Sequence, residues 1–249
     1  MPSLGTLNGI FGFGRPVQQA SSSGLITSGL IVHLDASNTS SYPGSGTTWT
    51  DLTGTGNNGT LTNGPVYSSL AGGCIDFDGI NDFVSIASNS GLQPQTATPI
   101  TMQVWVYFDA ITADAAFINK LTASFDFDGY IVRTTSQGYA GYTINGTRIQ
   151  RIDTSSPTVV FTTGNWYFVT FITQRSATAN STRLYINTTL RVQNTWGSDG
   201  YSESNPLQLG GGYGGFANCK IGAFYFYTTG LSESQITQNF NATKTRYGL

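Results

Sequence analysis

Thr101-Met102-Gln103-Val104-Trp105-Val106-Tyr107-Phe108 is an eight-residue run with apolar residues at every second position. Met102, Val104, Val106 and Phe108 share one face, and Gln103, Trp105 and Tyr107 share the other. A period of two belongs to a strand, because successive side chains point to opposite sides of the backbone. The aliphatic face is the expected core. Moving outward, Leu30-Ile31-Val32-His33-Leu34 alternates in the same way, with Leu30, Val32 and Leu34 opposite His33. Cys74-Ile75-Asp76-Phe77 and Phe83-Val84-Ser85-Ile86 follow. Tyr130-Ile131-Val132-Arg133, residues 138–145 and residues 148–152 read as a meander, with Asn145-Gly146 supplying a tight hairpin turn. Residues 166–173, Arg183-Leu184-Tyr185-Ile186-Asn187 and residues 220–227 complete the strand set.

One helix is expected. Ser232-Glu233-Ser234-Gln235 has the capping-box spacing, and Ile236 and Phe240 lie one turn apart on a single face. Many short strands with one short helix imply an all-β antiparallel sandwich. Residues 29–249 are expected to form that domain. Residues 1–28 are expected to form an arm, joined through the flexible run Ala20-Ser21-Ser22-Ser23-Gly24. Ile10, Phe11 and Phe13, spaced by glycines, read as docking pegs for assembly and lack the lysine of a phosphate loop.

Composition removes several classes of function. Charged residues make up 10% of the 249, against roughly 25% in an average soluble domain. Eleven Lys+Arg stand against thirteen Asp+Glu, so no basic stripe is present to bind nucleic acid electrostatically. With one histidine, and Glu203 and Glu233 as the only glutamates, the chain is poor in the groups that acid–base and metal hydrolysis use. No segment approaches the ~20 apolar residues of a membrane span. The first twenty residues are broken by Gly5, Gly9, Gly12 and Gly14 and lack a basic start, so they do not read as a secretory leader. Cys74 and Cys219 are either one bridge or two buried thiols.

Seven segments, in order, resemble the laminin-G-like branch of the concanavalin A-like lectin/glucanase superfamily. They are the opening strand from Gly29 to Ala36, Trp49-Thr50-Asp51-Leu52-Thr53-Gly54-Thr55-Gly56-Asn57-Asn58-Gly59-Thr60, and Phe77-Asp78-Gly79-Ile80-Asn81-Asp82-Phe83-Val84. The rest are residues 102–106, Asn165-Trp166-Tyr167-Phe168-Val169, Leu184-Tyr185-Ile186-Asn187 and Leu231-Ser232-Glu233-Ser234-Gln235-Ile236. The resemblance implies a concanavalin A-like jelly roll, and that fold hosts lectins, glucanases, receptors and virion proteins. The tail, residues 238–249, resembles the endings of structural proteins from tailed phages.

Three site readings follow. Glucanases of the superfamily pair two glutamates on one strand face, and neither glutamate here sits in such a pair. Asp76 with Asp78, or Asp126 with Asp128, is the substitute pair that the spacing offers, although Asp-x-Asp beside glycine is more often turn chemistry. For calcium, which takes about 6–8 oxygens, the resemblance points to Asp78, Asn81 and Asp82. The distal carboxylate that relatives often carry is missing, since Ile221 is followed by Gly222. The alternative is that the two aspartates cap turn amides. For a glycan, Trp105 and Tyr107 are expected to line a groove with Tyr139 or Tyr142, with Trp49 and Trp196 as alternative platforms. The expected function is a non-enzymatic virion structural protein in a tail, fibre or capsid-decoration position. It would need no cofactor, would be anchored by its arm to other virion proteins and to copies of itself, and would face host glycans. The alternatives are a soluble lectin, calcium-dependent or not, and a polysaccharide hydrolase.

Overall fold

The computed structural model describes residues 24–93, 95–121, 129–134, 140–144, 148–151, 161–177, 179–195, 204–212 and 214–249, the two short stretches 140–144 and 148–151 by their backbone course. The pegs Ile10, Phe11 and Phe13 lie outside them, as does the Asn145-Gly146 turn. Among the described residues the strands, in chain order, begin with β1 (Leu30–Asp35), β2 (Thr48–Trp49), β3 (Gly59–Thr62) and β4 (Val66–Ser68). Next come β5 (Cys74–Asp78), β6 (Phe83–Ile86), β7 (Ile100–Phe108) and β8 (Ala116–Lys120). β9 (Tyr130–Thr134), β10 (Ala140–Ile144), β11 (Arg148–Arg151) and β12 (Trp166–Thr173) form the middle of the chain. β13 (Thr182–Ile186), β14 (Thr189–Asn194), β15 (Leu207–Leu209) and β16 (Asn218–Tyr227) precede the helix α1 (Glu233–Thr243).

These strands make two antiparallel sheets. The first runs β14-β13-β12-β7-β16-β5-β4, with β1 also on β16; the second runs β11-β10-β9-β8-β15-β6-β3-β2. The molecule is therefore the expected all-β sandwich of two antiparallel sheets. Its inter-sheet core holds Met102, Val104, Val106 and Phe108 from β7, packed with Val84 and Ile86 from β6 and Leu207 and Leu209 from β15. The face assignment for β7 is correct in full.

β16 is the crossing point of the first sheet. Along one edge it pairs with β7. Along the other it pairs with β5 through Asn218–Ile221 and with β1 through Ala223–Tyr227. The change of partner falls at Gly222, where the register against β7 also slips. A Cβ at Gly222 would sit 2.5 Å from the Tyr247 hydroxyl, so only glycine lets that ring lie on the bulge. β1 has a bulge of its own between Leu30 and Val32. Consequently Val32 and Leu34 reach the inter-sheet core, while Leu30 packs on the opposite side of the sheet. The simple alternation read from the sequence therefore fails at Leu30, because the extra residue reverses its direction.

The outer face of the first sheet is as apolar as its inner face. Trp105, Phe168, Ile172, Tyr185, Tyr225 and Tyr227 form a second cluster there, roofed by Ile236 of α1 and by Tyr247. The roof starts with the expected capping box, in which Ser232 accepts from the Gln235 amide and the Gln235 side chain accepts from the Ser232 amide. A buried polar network holds it down: Asn239 donates to Gln103 Oε1 at 2.7 Å and to the Tyr227 hydroxyl at 2.9 Å. Gln103 in turn donates to Thr170. Asn239 Oδ1 accepts from the Ile26 amide, so residues 24–26 of the expected arm are packed along the helix.

Cys74 and Cys219 are both free and buried. Cys74 belongs to the cluster under the roof and Cys219 to the inter-sheet core, so they face opposite sides of the sheet.

Arg246 locks the roof to the sheet edge. Its guanidinium donates to Asp35 Oδ1 at 2.6 Å and to the carbonyls of Ala71, Gly73 and Gly222. Removing it strands a half-buried carboxylate and three carbonyls, so Arg246→Ala should cost about 3 kcal/mol of stability. Urea unfolding followed by tryptophan fluorescence reads this directly, and a midpoint equal to wild type would show that the clamp is ornamental.

Candidate functional site

Of the four residues expected to line a glycan groove, Trp105 and Tyr107 lie on the first sheet and Tyr142 on the second. Trp105 is fully buried under the roof. Its ring stacks on Tyr247 with centroids 4.0 Å apart, and its indole N–H donates to Thr243. A ring with both faces covered cannot stack on a sugar, so Trp105 is structural. Tyr142 lies on β10, in the other sheet, opposite Val132 and Gln150. It therefore cannot share a groove with residues on the outer face of β7. Tyr139 and Trp196 lie outside the described residues, and Trp49 is a core side chain with no exposure. Of the four, Tyr107 is the described side chain that keeps part of its surface exposed.

The acidic turn is occupied by its own backbone. Asp78 Oδ1 accepts from the amides of Ile80 and Asn81, and Asp82 Oδ2 accepts from the Asp78 amide. The Asn81 carbonyl accepts from Asn63. Gly79 adopts a φ of 76°, and a Cβ there would meet Asn218 at 2.8 Å. Burial raises the Asp82 carboxyl above its usual range, only partly opposed by the Asp78 amide. These contacts are those of a turn capped by its own aspartates. Asp76 and Asp78 serve different ends, Asp78 in the turn and Asp76 in an ion pair with a lysine on the sheet face. Asp126, Asp128 and Glu203 lie outside the described residues. Among the described residues no three His, Cys, Asp or Glu side chains cluster as a metal site would need.

The Trp49-to-Thr60 loop is also self-contained. Asp51 Oδ1 accepts from the amides of His33 and Thr53, and Oδ2 accepts from the hydroxyls of Thr53 and Thr55. Burial pushes this carboxyl up, but those hydrogen bonds outweigh it and hold it below its ordinary value. Asp51 thereby ties the loop to β1. His33 lies beside it, its ring 4.9 Å from that of Tyr225, with Nε2 buried and unpartnered.

A different constellation emerges from strand register. Where α1 no longer covers the first sheet, one row crosses five strands: Val66 on β4, Asp76 on β5, Lys220 on β16, Tyr107 on β7 and Trp166 on β12. The Lys220 ammonium lies 3.1 Å from Asp76 Oδ2 and 2.6 Å from Asp109 Oδ2. It also sits 5.6 Å from the centre of the Tyr107 ring. Burial pushes the lysine down, but its hydrogen bonds and charge pairing with Asp109 and Asp76 more than offset this, leaving it above its ordinary value. The Tyr107 ring is braced at 5.5 Å by Trp166, which Tyr247 supports at 4.7 Å. The two carboxylates remain about one-third exposed. A partly exposed aromatic ring, a largely buried ammonium and two carboxylates about one-third exposed thus meet on the outer face of the sheet. Of these only Tyr107 was singled out for this face, because the others meet it through pairings remote in sequence.

A family profile described as concanavalin A-like lectin/glucanases superfamily matches residues 78–237. The chain belongs to this superfamily. A search of curated protein sequences finds no match. Solved structures of the same fold include Trypanosoma rangeli sialidase in complex with the inhibitor DANA (TM-score 0.68, 12% identity, 92% of this chain and 35% of that one). This chain therefore spans about a third of the sialidase it matches. Domain 4 of AbnA, a GH43 extracellular arabinanase from Geobacillus stearothermophilus, in complex with arabinotriose, matches at TM-score 0.62 and 17% identity, covering 84% of this chain and 97% of that one. The binding domain of Paraclostridial Mosquitocidal Protein 1 matches at 0.64 and 15%, over 86% and 52%. At these identities the likeness is one of fold.

Burial lowers the His33 imidazole below its ordinary value of 6.5, against the opposing pull of Asp35 and Asp51. The unfolded chain then takes up the proton more readily than the folded one. Stability is therefore complete above pH 6.5 and falls as the pH drops from there towards the folded value. Thermal midpoints from pH 7.5 to 5, stepped in roughly half-units across that window, should fall more steeply for wild type than for His33→Gln. Parallel curves would remove His33 from the account.

Proposed function

We propose that this domain is a non-catalytic carbohydrate-binding module that presents its ligand platform on the first sheet, beyond the end of the roof. The single observation carrying the reading is the row of Tyr107, Lys220, Asp76 and Asp109, which sets a partly exposed aromatic ring beside charged hydrogen-bonding groups on the outer face of the sheet. That pairing of features is what sugars require, an apolar ring face to stack on and polar partners for hydroxyls. Superfamily membership agrees with it, as does the likeness to a domain solved in complex with arabinotriose. Both carboxylates are ion-paired to one ammonium, whereas acid–base glycoside hydrolysis needs one of two acids to hold a proton. Binding without turnover is the better fit.

In native gels cast with soluble arabinan, β-glucan or xylan, the protein should be retarded by at least one polysaccharide. No reducing ends should appear on prolonged incubation. Free migration through every gel, or steady release of sugar, contradicts the proposal.

A second reading places the module on a virion, anchored by residues 1–28. The specific observation in its favour is the fixed root of that segment. The Gly24 carbonyl accepts from Gln238, the Ile26 amide donates to Asn239, and Leu25 and Ile26 pack against the cluster under the helix. Peptide mass spectrometry of purified particles from an infected culture should then find this chain in stoichiometric amount. Its confinement to the lysate supernatant refutes the placement.

A further inference from the structure

We infer that the Tyr107 platform selects uncharged sugars bearing adjacent hydroxyls and rejects acidic ones. The inference rests on the carbohydrate-binding reading above and assigns it a ligand class.

The charge balance at the row comes first. Asp76 and Asp109 carry two negative charges against the single ammonium of Lys220. Arg246, a second cation bound at the margin of this sheet, is committed to Asp35. A sugar carboxylate, sulfate or phosphate placed over Tyr107 would meet a site whose formal charge is already −1, and like charges repel at this range. An uncharged sugar meets no such penalty.

Hydrogen-bond capacity comes second. Lys220 contacts Oδ2 of each carboxylate, and neither Oδ1 makes a hydrogen bond among the described residues. An ionised carboxylate has about four acceptor positions and a lysine three donors, so this triad keeps both acceptors and a donor in reserve. A hydroxyl donates and accepts at once. One of a neighbouring pair can accept from Lys220 while donating to an Asp Oδ1, and its neighbour can donate to the other carboxylate. An anionic group only accepts, and would leave both Oδ1 atoms unanswered. Bonds to ionised partners are the stronger kind, which gives the selection its force.

Rigidity comes third. Tyr107 is braced by Trp166, and Asp109 is set by its own amide, which donates to the Asn218 carbonyl at 3.1 Å. The platform is formed before any ligand arrives, so little ordering cost offsets its discrimination.

The test uses the full chain and isothermal titration with five probes: arabinotriose, xylotriose, cellotriose, trigalacturonate and 3′-sialyllactose. At least one uncharged trisaccharide should bind, with both acidic probes about tenfold weaker or worse. Tyr107→Ala should lower the uncharged affinity by about tenfold, in line with the loss of an aromatic stacking face. Asp109→Asn should lower it similarly and, by neutralising the site, raise the acidic-to-uncharged affinity ratio by about tenfold. Thr60→Ala, on the other sheet, should change neither, and circular dichroism should show every variant folded. An acidic probe that binds as well as the uncharged ones overturns the selectivity. Uncharged binding that survives both Tyr107→Ala and Asp109→Asn moves the site elsewhere and leaves only the broader carbohydrate-binding reading standing. Failure of all five probes to bind overturns both.

Discussion

The apolar outer face of the first sheet is the constraint from which the rest of this structure follows. A sandwich needs one dry face per sheet, and this sheet has two, since Trp105, Phe168, Tyr185, Tyr225 and Tyr227 all point away from the inter-sheet core. Left bare, such a surface would be a large contiguous apolar patch of the kind that drives association. The chain covers it with α1 and the turn that follows, fastened by Asn239 within and Arg246 at the margin. The position of that cover decides which part of the sheet remains available to a ligand. Everything beneath α1 is structural, and the row through Tyr107 lies just past it.

Much of the fold was legible because it depends on short-range rules. Alternation along residues 101–108 assigned the core face correctly, and the Ser232-to-Gln235 spacing produced the capping box that forms. The ordered series of loop and strand motifs pointed to the superfamily to which the chain belongs. Alternation misled at Leu30, where a bulge reverses the side chain, because a single inserted residue leaves no compositional trace. Gly222 was noticed only for the carboxylate it lacks. Its role is to admit the Tyr247 ring against β16, a contact that no local pattern encodes.

The candidate site was far less legible, for a related reason. Its members lie on five strands whose order in the sheet, β12-β7-β16-β5-β4, departs from their order in the chain. Asp76 was noticed as half of an Asp-x-Asp pair, yet its partner is Lys220 on another strand and not Asp78 two residues away. Trp105 drew attention for the right chemical reason, a large aromatic on the non-core face, and was claimed by packing. Its neighbour on that face, Tyr107, lies beside Lys220 and Trp166 and keeps part of its surface exposed. The extent of the cover, more than residue type, separates the partly exposed ring from the buried one.

The three-way pairing of β16 has a bearing on biosynthesis. β1, β5 and β7 all lean on a strand that begins at Asn218, so a ribosome must deliver the chain past that residue before any of the three acquires that neighbour. Until then the nascent chain carries open, strongly apolar strand borders, which are the surfaces that chaperones recognise and that aggregates recruit. The low charge of the sequence offers little electrostatic protection during that interval. Yield in a recombinant host should therefore be governed by how quickly β16 follows the earlier strands out of the exit tunnel, and a slow codon placed just upstream of Asn218 prolongs the vulnerable stage.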